Sequence, residues 1–193
     1  MLDSLILIPL LGTVFLSITA SLLGVLIYLR KEALLSETLS HSAFLGIILG
    51  LVASHFVQVS LVYPVAFVVS YLALKLVRSL KKEISSDAAL CFVLAFFFSL
   101  AIVFSALLQK SYPVLIRGAN SYLYGSAVSI LKSDVRLYAL LAVISTIVIV
   151  FFFPLIRISY FDKHYCASVG FSVKILDSVI EILFLFSIVT AVK

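Results

Sequence analysis

Four long stretches of this chain carry no formal charge. Leu5–Leu29, Thr38–Leu74, Ala88–Gln109 and Leu137–Ile156 contain no Asp, Glu, Lys or Arg. Each is long enough to supply the ~20 apolar residues that carry an α-helix across a hydrocarbon core of ~30 Å. In such a core no water meets the backbone, so these segments must close their hydrogen bonds internally, as helices do. Composition agrees. Of 193 residues, 64% are hydrophobic and 12% charged, more apolar side chain than a soluble domain of this size can cover. The fold class is therefore all-α, a polytopic transmembrane helical bundle. The chain opens with Asp3 where a signal peptide carries Lys or Arg, and its apolar run is longer than a signal h-region, so the first segment reads as a membrane helix.

About six membrane helices are expected. The first is Leu5–Leu29, closed by Arg30 and Lys31, and the second is Leu34–Phe56. A turn over Gln58–Pro64 leads into the third, with Pro64 in its first turn, and the third ends near Leu80. "SSD" at Ser85–Asp87 offers hydroxyl and carboxylate acceptors to free backbone amides, a start signal for a fourth helix over Asp87–Gln109. The fifth spans Asp134–Ile156, with Pro154 near its end, and the sixth runs from near Ser172 to Lys193. Between the fourth and fifth, Gly118–Leu131 is uncharged but too short to span, and it reads as a short re-entrant or interfacial helix. No internal repeat or low-complexity tail divides the chain, so residues 1–193 read as a single transmembrane domain. No polar tail closes the last helix, and the expectation is a truncated or split product.

Charge placement sets an orientation. Arg30, Lys31, Lys75, Arg78, Lys81, Lys82, Arg157, Lys163 and Lys174 fall on one side, and Lys110, Arg117, Lys132 and Arg136 on the other. Cytoplasmic loops carry the excess of Lys and Arg, so the richer side is cytoplasmic and the N-terminus lies outside. No basic surface with interleaved aromatics suggests nucleic-acid binding. Cys91 and Cys166 are too few and too far apart for a metal cluster or disulfide framework. The chain has no G-x-x-x-x-G-K-[ST] loop, no H-E-x-x-H and no G-x-S-x-G, so it is not expected to bind ATP or to be an enzyme.

The residues that could carry chemistry gather in "ETLSHSAFLGIILG" over Glu37–Gly50. Glu37 and His41 are one helical turn apart on one face. Beside them Thr38, Ser42, Gly46, Gly50 and Ser54 recur every fourth residue, a stripe on which another helix can pack closely. Two readings of the pair stand. In one, Glu37 pairs with Lys31 or Arg30 near the headgroups and His41 is a neutral imidazole bonded to backbone or serine. In the other, both line a pathway, since ionisable groups in a membrane face a cavity or a partner. A carboxylate and an imidazole suit Zn, Mn or Fe but fill only half a coordination shell, which a symmetric dimer would double. His55 and His164 read as ordinary polar residues. Asp177 reads as a first-turn charge near Lys174, and Glu181 lies deeper and requires a partner. Tyr160–Val173, "YFDKHYCASVGFSV", reads as a connecting loop or as a short element through which the chain meets a motor, with Gly170 able to end a short helix at positive φ.

Four segments in order resemble one family. "LRKEALLSETLSHSAFLGIILG" resembles its signature of an arginine-containing turn, Asp-Ala-Leu-Ser-His and a small-residue helix; "SSDAALCFVLAFFFSL" resembles its next cytoplasmic helix start; "SYLYGSAVSI" resembles its Leu-Phe-Gly segment; "YFDKHYCASVGFSVKILD" resembles its loop of phenylalanine-aspartate, alanine and glycine. The chain thus resembles the permease subunits of ABC transporters that import zinc, manganese or iron, over essentially its whole length. Glu37 stands where the family has Asp, and the family's further C-terminal helices are missing. The resemblance implies a metal path past Glu37 and His41 at a subunit interface, helix packing through Ser42, Gly46 and Gly50, and an ATPase-coupling loop carried by Phe161, Asp162, Ala167 and Gly170. It also implies a second permease subunit, identical or different, a cytoplasmic subunit that binds ATP, and an extracytoplasmic metal-binding protein, all at the cell (inner) membrane. The competing expectations are a secondary transporter driven by an ion gradient and a non-transporting membrane fragment.

The charge asymmetry makes a direct prediction about the two cysteines, which it places on the cytoplasmic side. An impermeant thiol reagent applied to intact cells should label neither, and labelling of Cys166 from outside reverses the orientation.

Overall fold

The computed structural model describes residues 2–57, 61–114, 117, 119, 130–161 and 173–192. They form six helices: α1 (Leu2–Leu29), α2 (Leu35–Val57), α3 (Val62–Leu80), α4 (Ser86–Ser111), α5 (Lys132–Phe161) and α6 (Val173–Ala191). No strand occurs among the described residues. Five helices, α1 to α5, are long and apolar enough to cross a membrane, and the chain is a multi-pass membrane protein. The proposed re-entrant segment Gly118–Leu131 lies almost wholly outside the described residues.

Local chemistry sets the helix ends. Ser85 is extended at φ −60°, ψ 151°, and its Oγ accepts from the Ala88 amide, capping α4 as the "SSD" signal implies. At the start of α5 the Asp134 carboxylate accepts from the Leu131 amide at 2.7 Å, the acidic half of a capping box. Pro64 sits in the first turn of α3, where its missing N–H costs nothing. Just ahead of it Ser54 Oγ donates to the Gly50 carbonyl at 2.6 Å and accepts from the Leu61 amide at 2.9 Å, joining the end of α2 to the beginning of α3. The end of α1 is a Schellman turn: the Lys31 amide donates to Tyr28 and the Glu32 amide to Ile27, with Lys31 at φ 58° in the position glycine usually takes. Cys91 is free and exposed.

Two helices outrun the sequence pattern. α1 begins at Leu2, and α5 continues past Pro154 to Phe161. Proline removes one backbone donor, yet membrane helices tolerate it where neighbouring groups satisfy the freed carbonyl. Several serine and threonine hydroxyls inside the helices turn back onto carbonyls of their own helix, as Thr19 does on Phe15 and Thr146 on Ala142, so these two need no outside partner.

The helices gather into two compact units, Met1–Ala33 with Ala127–Ser187 and Leu34–Ser126 with Ile188–Lys193. In the first, α1 packs on α5, and Leu23, Leu26, Ile27, Tyr138, Ala142 and Ile149 are buried. In the second, α2 packs on both α3 and α4. A Cβ built at Gly46 would lie 2.5 Å from Ala66 Cα, and one at Gly50 2.8 Å from Val62 Cα. Backbone thus meets backbone along α2 and α3, a contact that lipid-embedded helices make through small residues. Ser42 belongs to the same buried face, and its hydroxyl donates to Leu39.

Adding one carbon separates this seam from an open glycine. Gly46→Ala forces two backbones apart and should cost ~1–3 kcal/mol. At Gly24 no atom lies within 4 Å of the new Cβ, so Gly24→Ala should gain up to ~1 kcal/mol of helix propensity. Thermal unfolding in detergent should rank Gly24→Ala at or above the parent and Gly46→Ala well below it.

Candidate functional site

The packed face of α2 determines what its other residues can do. Thr38 is fully buried, and its Oγ1 donates to the Leu34 carbonyl at 2.9 Å and lies 3.3 Å from the Leu90 carbonyl of α4. Glu37, one position earlier, is exposed. His41 is half-buried, its ring 4.5 Å from the Phe98 ring of α4 at a tilt of 54°. The carboxylate and imidazole therefore stand at the margin of the packed face, one turn apart. Among the described residues neither side chain has an ion-pair or hydrogen-bond partner. Neither bland pairing considered for them occurs there: Lys31 and Arg30 do not bridge to Glu37, and no backbone or serine group bonds His41.

No group of three or more His, Cys, Asp or Glu side chains that could hold a metal forms among the described residues. One chain thus contributes a carboxylate oxygen and an imidazole nitrogen at this position, part of a shell for a divalent cation. An open groove on α5 is lined by Phe153, Pro154, Arg157 and Ile158 and offers a cation no ligand. His55 lies at the far end of α2, exposed, against the rings of Phe56 and Tyr112. Of the loop residues, Asp162, Ala167 and Gly170, like His164 and Cys166, lie outside the described residues; Phe161 is the last residue of α5.

A second cluster, in the first unit, has a centre that the sequence did not reveal. Arg30 follows the last residue of α1 and is 8% exposed. All three of its side-chain nitrogens are bonded: Nε donates to Tyr160 Oη at 2.9 Å, Nη1 to Glu181 Oε1 at 3.2 Å, and Nη2 to Asp177 Oδ1. Tyr160 in turn donates to the Leu26 carbonyl at 3.0 Å. Arg30 is therefore a partner of the kind Glu181 requires. Asp177 corrects its sequence reading, since it lies beyond the first turn of α6 and serves the guanidinium, not the helix dipole. These pairs span 147 and 151 residues, and no local spacing connects them. The one signal in the sequence is an intramembrane acid with no neighbour of opposite charge.

Removing Arg30 takes the guanidinium away from Glu181, 13% exposed, and from Asp177. Arg30→Ala should cost ~3–5 kcal/mol. Adding Asp177→Asn and Glu181→Gln should recover most of the loss in a detergent melt. Equal melting of the single and triple variants would show that the ion pairs are not what the arginine supplies.

Against known proteins, the profile described as the ABC 3 transport family matches residues 3–193. The zinc transport system membrane protein TroC of Treponema pallidum is 26% identical over 95% of this chain and 62% of its own length. The manganese transport system membrane protein MntC of Bacillus subtilis is 25% identical over 94% of this chain and 42% of its own. The chain spans about half the length of the curated relatives it matches. Among solved structures, PsaBC from Streptococcus pneumoniae in complex with Fab superposes at a TM-score of 0.77 with 21% identity, over 98% of this chain and 65% of that one, a likeness of fold.

Proposed function

Because the chain belongs to the ABC 3 transport family, we propose that it is a permease subunit of an ATP-driven importer of divalent metal ions. The observation that carries this reading is the position of Glu37 and His41. They are ionisable donors, one turn apart on a membrane helix, at the margin of a face already filled by α3 and α4. Intramembrane groups of this kind serve cavities and pathways. The names of the relatives agree on metal and differ between zinc and manganese, as suits a carboxylate–imidazole pair that accommodates either.

A second permease subunit completes the site. Opposed across a twofold axis, two chains offer two carboxylates and two imidazoles. That donor set replaces part of a cation's hydration without the near-irreversible hold of a thiolate cage, and conduction needs both entry and release. The longer side chain of Glu37, where the resemblance expects Asp, carries its oxygen further from the α2 backbone. Ring contact with Phe98 fixes where the imidazole of His41 is presented.

The chain lacks an ATP-binding loop, so hydrolysis belongs to a separate cytoplasmic subunit, and an extracytoplasmic protein delivers the metal. The ATPase docks on the segment Tyr160–Val173, through Phe161, Asp162, Ala167 and Gly170. Support for a common side comes from Arg30, which draws together the end of α1, the end of α5 and the start of α6. The basic residues near these ends make that side cytoplasmic, with the N-terminus outside.

In cells carrying the whole transporter, His41→Ala should reduce manganese or zinc uptake by on the order of 10–100-fold, at least the loss caused by disturbing groups that merely support a metal ligand. Membrane abundance and basal ATP hydrolysis should stay near the parent's. Uptake that persists, or that falls only in step with protein abundance, makes His41 structural.

A further inference from the structure

Tyr160 and Asp177 flank the segment assigned above to the ATPase. Tyr160 lies in the last turn of α5, Asp177 early in α6, and the chain between them holds residues 161–176. One side chain from a third helix bonds to both flanks. Arg30 donates to Tyr160 on one stem and to Asp177 and Glu181 on the other. Its planar guanidinium presents donors in a fixed fork, so bonding all three nitrogens fixes direction as well as distance. The stem of α5 is tied to α1 a second time, because the Tyr160 hydroxyl donates to the Leu26 carbonyl. Leu26 also accepts the Arg30 amide at 3.2 Å, which joins the tie to the last turn of α1.

From this geometry we propose that Arg30 is the positioning residue of ATPase coupling: it clamps both stems of the docking segment to the end of α1, so that a displacement imposed on the segment moves the three helix ends as one body. The inference rests on the permease reading for what docks there, but the clamp itself is a property of the first unit alone. Arg30 suits the task by burial and valence. At 8% exposure its bonds exchange little with water, and each nitrogen has its own oxygen. Lysine keeps the charge and loses the fork; a single ammonium cannot hold three oxygens on two helices in the same directions. Arg30 is followed by the Schellman turn at Lys31 and Glu32, and the chain then enters the helix that carries Glu37 and His41.

Two measurements on the assembled transporter in liposomes test this. The first needs no transport. Spin labels at Ile158 and Val179, both on exposed positions of the stems, with Cys91 and Cys166 replaced by serine, report the distance between α5 and α6. The parent should give one narrow distribution. Arg30→Gln should broaden it, and so should the triple variant Arg30→Gln/Asp177→Asn/Glu181→Gln, which neutralises both carboxylates together with the guanidinium. An unchanged width in the triple variant overturns the clamp. The second measurement is the number of manganese or zinc ions imported per ATP hydrolysed. Arg30→Lys should lower it on the order of tenfold, while ATPase binding and basal hydrolysis stay at the parent level. An unchanged ratio overturns the coupling role, as does a loss of all three quantities in proportion to protein abundance. If the parent hydrolyses ATP without importing metal, the permease reading fails and the spin-label distances still decide the clamp.

Discussion

The approach of α2 to α3 at Gly46 and Gly50 is the contact on which the second unit depends. Lipid tails are as apolar as leucine, so burial alone does not draw two membrane helices together; close packing does. With backbone atoms of α3 where a side chain would otherwise sit, the rotation of α2 about its axis is fixed. Thr38 then points at the Leu90 carbonyl, His41 meets Phe98, and Glu37 is left exposed. The small residues that could have served a second subunit are spent inside the chain. The proposed contact with another subunit around Glu37 and His41 is therefore assigned to the margin of this face, where the ionisable groups stand.

The first unit answers a different physical problem. Charges away from water are tolerated when they are paired and bonded. α6 carries Asp177 and Glu181, and Arg30 at the end of α1 meets both, with Tyr160 taking the third nitrogen. Both acids are thus matched from the end of α1, Glu181 largely buried and Asp177 half-exposed.

Much of the helical order was legible because bilayer chemistry writes it in one dimension. Runs without charge marked α1 to α5, "SSD" marked the start of α4, and Pro64 fell in the first turn of α3. Proline was less informative at 154, because membrane helices tolerate one where local adjustment satisfies the freed carbonyl. The stripe on α2 announced a close neighbour without saying which, since Gly-x-x-x-Gly spacing is the same for a helix of the same chain and for one of another. The alignment of Glu37 with His41 was equally plain from i, i+4 spacing. The Arg30 cluster was invisible because its members are drawn together only by the packing of α1, α5 and α6. Asp162, Ala167 and Gly170 lie outside the described residues, so their place in the docking segment rests on the resemblance.

The central claim is that Glu37 and His41 serve a divalent cation between two permease subunits. Cobalt(II) tests it most directly, because its ligand-field absorption reports nitrogen and oxygen ligation without requiring transport. Titrated into the purified, assembled transporter, cobalt should produce a saturable absorption band, at one ion per pair of permease subunits. The band should be lost in both Glu37→Gln and His41→Ala, with the assembly intact by size. A band of the same position and intensity in both variants, or no saturable band in the parent, would contradict the claim.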